Sequence, residues 1–408
     1  MNTHLKIIYI TGSMPYGSGE EFLIPEVKGM LRQGYDVLVI NRSARQGLTN
    51  ADAKEIVANT IARPLLSLEI CAAAWCEVFR KPVQCIRILR GLFSGTNIEV
   101  LLKNLAVFPK GLWLARLATN VGAYHIHAQW GSTTATMAMT ASKLSGIPWS
   151  FTGHRGDIAG NNLLEMKLRN ASFVRFISFS GFEMAKAICK GTIKGQVHII
   201  HMGVNIPPIT ETSSTRPDVP VILCPANLIP VKGHTYLLEA FAILQSRGVQ
   251  CSLKLAGQGG LRNKLEKQVK TLHLARHVTF LGQVSHDTLL ELYRKGRVNI
   301  VVLPSIDMGS NQHEGIPVGL MEAMSYGVPC VSTTTGGIPE LLGNGAGILV
   351  PPRDSLAIAD AIEKLLQDDR LRERTAKNGY ERVREEFNVE KVVEKMASLM
   401  AASGKGHP

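Results

Sequence analysis

Residues 301–343 read VVLPSIDMGSNQHEGIPVGLMEAMSYGVPCVSTTTGGIPELLG. An apolar run from Val298 to Leu303 ends in a polar loop. Glu314 and a Gly-Ile-Pro turn follow, then an apolar, helix-like stretch carrying Glu322. A second apolar run, Val328 to Val331, leads into Gly336-Gly337. The pattern predicts strand, loop, helix, strand, loop. It sets an acid, a helix N-terminus and a flexible glycine pair around one crevice. Such a crevice suits a phosphorylated, sugar-bearing ligand better than a packing role.

The same alternation extends in both directions. Strand candidates in the first half are Leu5–Ile10, Tyr35–Ile40, Tyr124–His127, Trp149–Thr152, Val174–Ser178 and Val197–His201. In the second half they are Val221–Cys224, Cys251–Ala256, Val278–Leu281, Asn299–Leu303, Pro329–Ser332 and Ile348–Val350. Helix-like segments separate them. This predicts an α/β chain with two doubly wound, Rossmann-like parallel sheets and a cleft between them. The expected domains are 1–205, a join at 206–220 rich in Pro, Thr and Ser, and 221–385. Residues 386–408 are expected to form a C-terminal helix and tail that crosses back to the first domain.

Bulk composition narrows the class. The 408 residues are 45% hydrophobic and 19% charged, ordinary for a globular protein. No apolar stretch reaches the ~18–20 residues that span a bilayer, and KIIYITG near the N-terminus lacks a signal-peptide layout. Seven scattered cysteines form neither a disulfide framework nor a CxxC pattern, so a reducing cytoplasm is expected. The net charge of +12 is uneven. Residues 1–205 hold 22 Lys/Arg against 12 Asp/Glu, whereas the remainder holds 23 against 21. An anionic partner for the first half follows. Residues 58–118 mix Arg63, Arg80, Lys81, Arg87, Arg90, Lys103, Lys110 and Arg116 with Trp75, Phe93, Phe108 and Trp113. They are expected to form a basic amphipathic insert lying on a membrane surface. The alternative is a helical insert whose bases are simply solvated. No zinc-finger, RNP or basic-region motif points to nucleic acid.

The segment EGIPVGLMEAMSYGVPCVSTTTGGIPELL resembles the E-x7-E signature of the family 4 retaining glycosyltransferases. The resemblance recurs, in order, along much of the chain: GSGEEFLIPEVKGMLRQGYDVLVI, SFTGHRGDI, VHIIHMGVNI, PANLIPVKGHTYLLEAF, LAGQGGLRNKLE and VTFLGQVSHDTLLELY. The wording around HEGIPVGLMEAMSYGVPCVST is most similar to bacterial exopolysaccharide, colanic-acid-type enzymes. The resemblance implies a GT-B fold and transfer from a nucleotide sugar, UDP- or GDP-linked, without a metal or other cofactor. It also implies a lipid-linked saccharide acceptor and a cytoplasmic enzyme, peripheral on the inner face of the membrane.

Carried over residue by residue, the resemblance assigns Glu314 to the transferred sugar, Glu322 to the ribose and Lys232 to the leaving phosphates. His154 is placed near the reacting centre. Gly315, Ile316, Pro317 and Val318 form the helix start that seats a diphosphate. Pro317 is expected in the first helical turn, where no N–H is needed. Gly17, Gly19, Asn227, Gly257, Leu281, Gly282 and Val284 complete the donor side, the last three around the base. Asp157, His127, Gln129 and Trp130 are acceptor-side candidates. One departure stands out: the family usually carries an arginine where this chain has Asn227. Arg262 is the candidate substitute. Glu314 and Glu322 do not form a hydrolase dyad, which needs carboxyls about 5–5.5 Å apart. Two rivals remain: a GT-B sugar-nucleotide epimerase or phosphorylase, and a non-catalytic, membrane-associated protein with the same fold.

Overall fold

The computed structural model describes residues 5–17, 19–43, 47, 53–94, 97–191, 193–208, 217–309 and 314–404. Ser18 of the first glycine loop, 209–216 of the expected join and 405–408 of the tail lie outside them. Two compact units divide the chain: Met1–Gly203 together with Val389–Pro408, and Val204–Asn388.

The first unit is built on strands β1 (Lys6–Thr11), β2 (Asp36–Asn41), β3 (Thr60–Ile61), β4 (His125–Ala128), β5 (Trp149–Gly153), β6 (Phe173–Phe176) and β7 (Val197–Ile199). Their spatial order is β3-β2-β1-β4-β5-β6-β7. The second unit holds β8 (Val221–Pro225), β9 (Ser252–Ala256), β10 (Val278–Gly282), β11 (Ile300–Leu303), β12 (Cys330–Thr333) and β13 (Ile348–Val350). Their order is β10-β9-β8-β11-β12-β13. Every strand pairing in both sheets is parallel.

The sequence explains this arrangement. Central strands such as β4, β5, β11 and β12 are buried along their whole length, as a sheet covered on both faces requires. The edge strand β10 instead turns two of its five residues to solvent. In each sheet the chain enters at the middle, winds outward, then returns to the other side. The winding direction reverses between β1 and β4, and again between β8 and β11. Ligands of doubly wound sheets sit beyond the carboxyl ends of the strands at that reversal.

The helix Val389–Ser403 closes the first unit. It buries Val389, Val392, Val393, Met396, Ala397 and Met400. Gly29, on the helix Ile24–Arg32, makes room for it: a Cβ there would lie 2.7 Å from Val393 Cγ2. Arg32 pairs with Glu390 at 2.6 Å, and the Tyr124 hydroxyl donates to the Ala401 carbonyl at 2.9 Å.

Residues 58–118 narrow one expectation. They fold into helices Leu68–Arg80, Pro82–Leu92 and the start of Ile98–Asn120, but the basic and aromatic residues do not share one surface. Phe108, Lys110 and Trp113 are buried. The long helix packs tightly along Thr133–Ser145, where a Cβ at Gly111 would lie 2.8 Å from Thr140 Cβ. The Lys110 ammonium donates to the carbonyls of Asn41, Arg42 and Arg63 at 2.6, 3.0 and 2.7 Å. Burial, with the nearby Arg42 charge, lowers its pKa to about 8. No helix among the described residues is long and apolar enough to cross a membrane.

Candidate active site

In the second unit the chain leaves β8 through a short turn, Pro230–Lys232, and enters the helix His234–Ser246. Gly233 joins them with φ +67°, and a Cβ there would lie 1.9 Å from the Pro304 carbonyl oxygen. Only glycine allows this crossing. It lays Lys232 against the loop that follows β11. There Lys232 Nζ meets Glu314 Oε2 at 2.7 Å, with the two side chains 18% and 16% exposed. Ser305 Oγ donates to the same carboxylate at 3.4 Å. The hydroxyls of Thr333 and Thr335 hold the Ser305 carbonyl. A cation and an anion drawn from the two strands that flank the reversal are thus brought together. Burial, followed by the Lys232 charge, lowers the adjacent His234 to about 4.

Beyond Glu314, Pro317 caps the helix Val318–Ser325 in an extended conformation, without a side-chain cap. It stands one position before the first helical turn in which the sequence placed it. Glu322 Oε1 contacts His286 Nε2 at 2.7 Å. His286 opens the helix His286–Arg294 and had no role in the sequence reading. The glycine pair lies against the Glu314 loop: a Cβ on Gly337 would meet Ile316 Cγ1 at 2.8 Å and the Gly315 oxygen at 3.1 Å.

The remaining donor-side residues line the carboxyl edges of β8 to β10. Gly257 N–H donates to the Gly282 carbonyl at 2.8 Å, and a Cβ on Gly257 would lie 2.1 Å from the Ala226 oxygen. Asn227 and Leu281 are exposed and Val284 is half-buried. Arg262, the candidate substitute for the missing arginine, has its guanidinium on Glu266 at 2.5 Å and 4.3 Å over the Phe280 ring.

In the first unit Gly17 and Gly19 both have positive φ. The backbone N–H groups of Gly12, Ser13 and Met14 are already engaged. They donate to the Glu20 carboxylate at 2.8, 2.6 and 2.8 Å, and the Trp130 indole N–H donates to it as well. Trp130 packs against His154 with ring centroids 4.2 Å apart and the planes tilted by 35°. His154 is 6% exposed, and its Nε2 has no hydrogen-bond partner among the described residues. Burial, then the Arg175 charge, lowers its pKa to about 3, so the ring is neutral at physiological pH. Asp157 caps the helix that His154 opens, accepting from the backbone N–H of His154 at 2.7 Å and from that of Gly131. Burial raises Asp157 to about 7, against the pull of those N–H groups.

Two acceptor-side expectations fail. His127 is fully buried, its ring bonded to Ser150 Oγ at 2.7 Å and Thr152 Oγ1 at 3.0 Å. Gln129 is equally buried and donates to Glu26 at 3.1 Å. Both follow from β4 being an interior strand between β1 and β5. Sequence reasoning also missed the buried pair Arg175–Glu26, 2.6 Å apart. Its only trace is one base inside the apolar strand FVRF.

Residues 207–382 match the family model described as Glycosyl transferases group 1. They form a glycosyl transferases group 1 domain. The group 1 domain therefore contains Lys232, Glu314 and Glu322. Among curated relatives, the chain is 36% identical over 162 residues to the alpha-D-kanosaminyltransferase of Streptomyces kanamyceticus, covering 40% of each chain. It is 31% identical over 209 residues to the putative colanic acid biosynthesis glycosyltransferase WcaL of Salmonella typhimurium, covering 50% of this chain and 51% of that one. The chain thus spans about half the length, or less, of these two relatives. At 25% identity the match to the amylovoran biosynthesis glycosyltransferase AmsK of Erwinia amylovora extends over 382 residues, 90% of this chain and 91% of that. Among solved structures, Anabaena HepE in complex with UDP superposes with a TM-score of 0.71 at 18% identity, covering 98% of this chain and all of that one. Two parallel-sheet, Rossmann-like units of this kind place the chain in the GT-B fold class.

Proposed function

We propose that this protein transfers a sugar from a UDP- or GDP-linked donor to a lipid-linked saccharide during synthesis of a surface or exopolysaccharide. The observation that carries the reading is the Lys232–Glu314 pair at the reversal of the second sheet, inside the group 1 domain. Names of two matched relatives, in colanic acid and amylovoran biosynthesis, support the class of product. The UDP held by a protein of the same fold supports the class of donor.

The donor diphosphate takes Glu314's place beside Lys232, and the helix N-terminus at Pro317 adds its dipole. Both stabilise the charge that develops on the leaving phosphate. Glu314, released from the lysine, orients the sugar, and Glu322 accepts the ribose hydroxyls. The bond from the anomeric carbon to the phosphate oxygen breaks as the acceptor hydroxyl attacks the same face. Its proton passes to the departing phosphate, and configuration is retained. Lys232 and the helix supply the positive charge, so no metal enters this scheme. Neutral His154 offers hydrogen bonding on the acceptor side. The enzyme works on the cytoplasmic face of the membrane, where lipid-linked acceptors are held.

A thermal-shift series with UDP- and GDP-sugars tests the reading. The correct donor at 100 times its Kd stabilises the protein by about 2.7 kcal/mol. Lys232→Ala loses that shift. No shift with any nucleotide sugar overturns the proposal.

A further inference from the structure

The exposed apolar residues of the first unit are not scattered. On the helix Leu68–Arg80 the exposed apolar positions Leu68, Ala72, Trp75, Cys76 and Phe79 fall at helical spacing on one face, edged on one side by exposed Glu69 and Arg80. The opposite face, Ile70, Ala74 and Glu77, is buried. Most of the solvent side is therefore apolar too, with Glu69 and Arg80 confined to one edge. Trp75 and Phe79 are 64% and 77% exposed and stack on each other at 5.9 Å. The next helix, Pro82–Leu92, continues the ridge with exposed Val83 and Ile86, and Phe93 follows at its end.

Charge accompanies this ridge. Its acids are matched: Glu69 pairs with Arg63 at 3.0 Å, Glu77 with Arg80 at 3.3 Å, and Glu99 with Lys103. Arg87 and Arg90 are exposed and form no ion pair among the described residues. Uncompensated positive charge therefore lies within a turn of exposed aliphatic and aromatic side chains. A groove of about 770 Å³ starts where the ridge ends. It is lined by Ser94 and Asn97 on one side and by Gly160, Asn161 and Arg169 on the other, directly after the short helix Arg155–Ala159 that His154 opens.

We propose that the exposed face of the helices Leu68–Arg80 and Pro82–Leu92 docks on an anionic lipid surface. Trp75 and Phe79 enter the interface, and Arg87 and Arg90 bind lipid phosphates. An aromatic ridge edged by unmatched arginines suits a headgroup layer: the rings sit at the boundary and the guanidiniums bind phosphate. A second copy of this chain would bring the same arginines against each other, which disfavours self-association by this face. The groove that begins at Ser94 leads from this surface to the loop following the His154 helix. It gives a lipid-linked acceptor a route along one unit. That last step rests on the function proposed above, whereas the docking surface does not.

Co-sedimentation of the full chain with vesicles tests it. Vesicles of phosphatidylglycerol and phosphatidylethanolamine are compared with phosphatidylcholine alone, at low and high salt. The expected result is salt-sensitive binding to the anionic vesicles. Binding weakens at least about tenfold in Arg87→Glu/Arg90→Glu, since each base near such a surface is worth roughly fivefold. Trp75→Ser/Phe79→Ser lowers binding at both salt concentrations. Trp75 emission, read as the difference between wild type and Trp75→Phe, shifts to the blue on binding. The nucleotide-sugar thermal shift is measured on the same variants and is expected unchanged. This separates loss of docking from loss of fold or of donor binding. Equal binding to neutral vesicles, no binding to either, or a concentration-dependent dimer abolished by Trp75→Ser/Phe79→Ser each overturns the proposal.

Discussion

At the scale of single residues, Lys232 and Glu314 hold each other at 2.7 Å where an anionic ligand would compete for the lysine. The pair is only partly buried, so breaking it costs less than for a fully buried one. Lys232→Ala and Glu314→Gln are each expected to lower kcat/KM for sugar transfer by about 10²–10³-fold. Their melting temperatures should stay within a few degrees of wild type. Activity near wild type in both variants would remove these two residues from the site. Gly233 presents the opposite case. With φ +67° and a carbonyl 1.9 Å from any added Cβ, Gly233→Ala should unfold at lower denaturant, by roughly 2 kcal/mol or more, and lose donor binding with it. Lys232, Glu314 and Glu322 stand out in the sequence through the resemblance of their segments to a known family, with the glycine, proline and helix start around them as physical support. His127 and Gln129 carry equally polar side chains, but whether a strand-end residue faces solvent or a neighbouring strand depends on sheet order. No local pattern reveals that. The Arg175–Glu26 pair was hidden for a similar reason, since its partners are far apart in sequence.

Among elements, the alternation of strands and helices was readable throughout because buried parallel strands leave runs of apolar residues. The short strand β3, with only two residues, left no such trace. The helix Ile98–Asn120 was misread for a physical reason. A lysine usually marks a solvated face, but Lys110 caps three carbonyls at the ends of other segments. Lys110→Met keeps the apolar stem and deletes the donor, leaving those buried carbonyls unmatched. A loss of about 2–4 kcal/mol in urea unfolding is expected. A stability equal to wild type would mean water replaces the ammonium.

For the molecule as a whole, buried histidines set the response to acid. Burial lowers His125 and His127 well below 6.5, His154 to about 3 and His234 to about 4. The unfolded chain therefore binds more protons than the native state as pH falls below about 6.5. The stability these groups contribute is present above that value and is lost on acidification. Asp157, raised to about 7, acts in the opposite sense, taking its proton first in the native state and partly offsetting the loss. Four histidines against one aspartate leave a net loss. The urea midpoint at pH 5 should fall below that at pH 7.5, and an equal or higher midpoint would contradict the burial of these rings. Deleting residues 389–408 is a harsher test. The helix Val389–Ser403 buries six apolar side chains, worth on the order of 10 kcal/mol as an upper bound. That rivals the whole stability of a typical domain, so the first unit of the truncated chain should lose its cooperative melting transition while residues 204–388 keep theirs.

That same helix has a consequence for how the chain is made. Domains of a nascent polypeptide generally mature in the order in which they leave the ribosome. Here the second unit, Val204–Asn388, is one continuous stretch, whereas the first also needs the helix Val389–Ser403 that follows it in the chain. The half synthesised first is therefore completed after the second. Until residues 389–403 emerge, its groove beside Gly29 stays open and its apolar lining is exposed to the cell's chaperones.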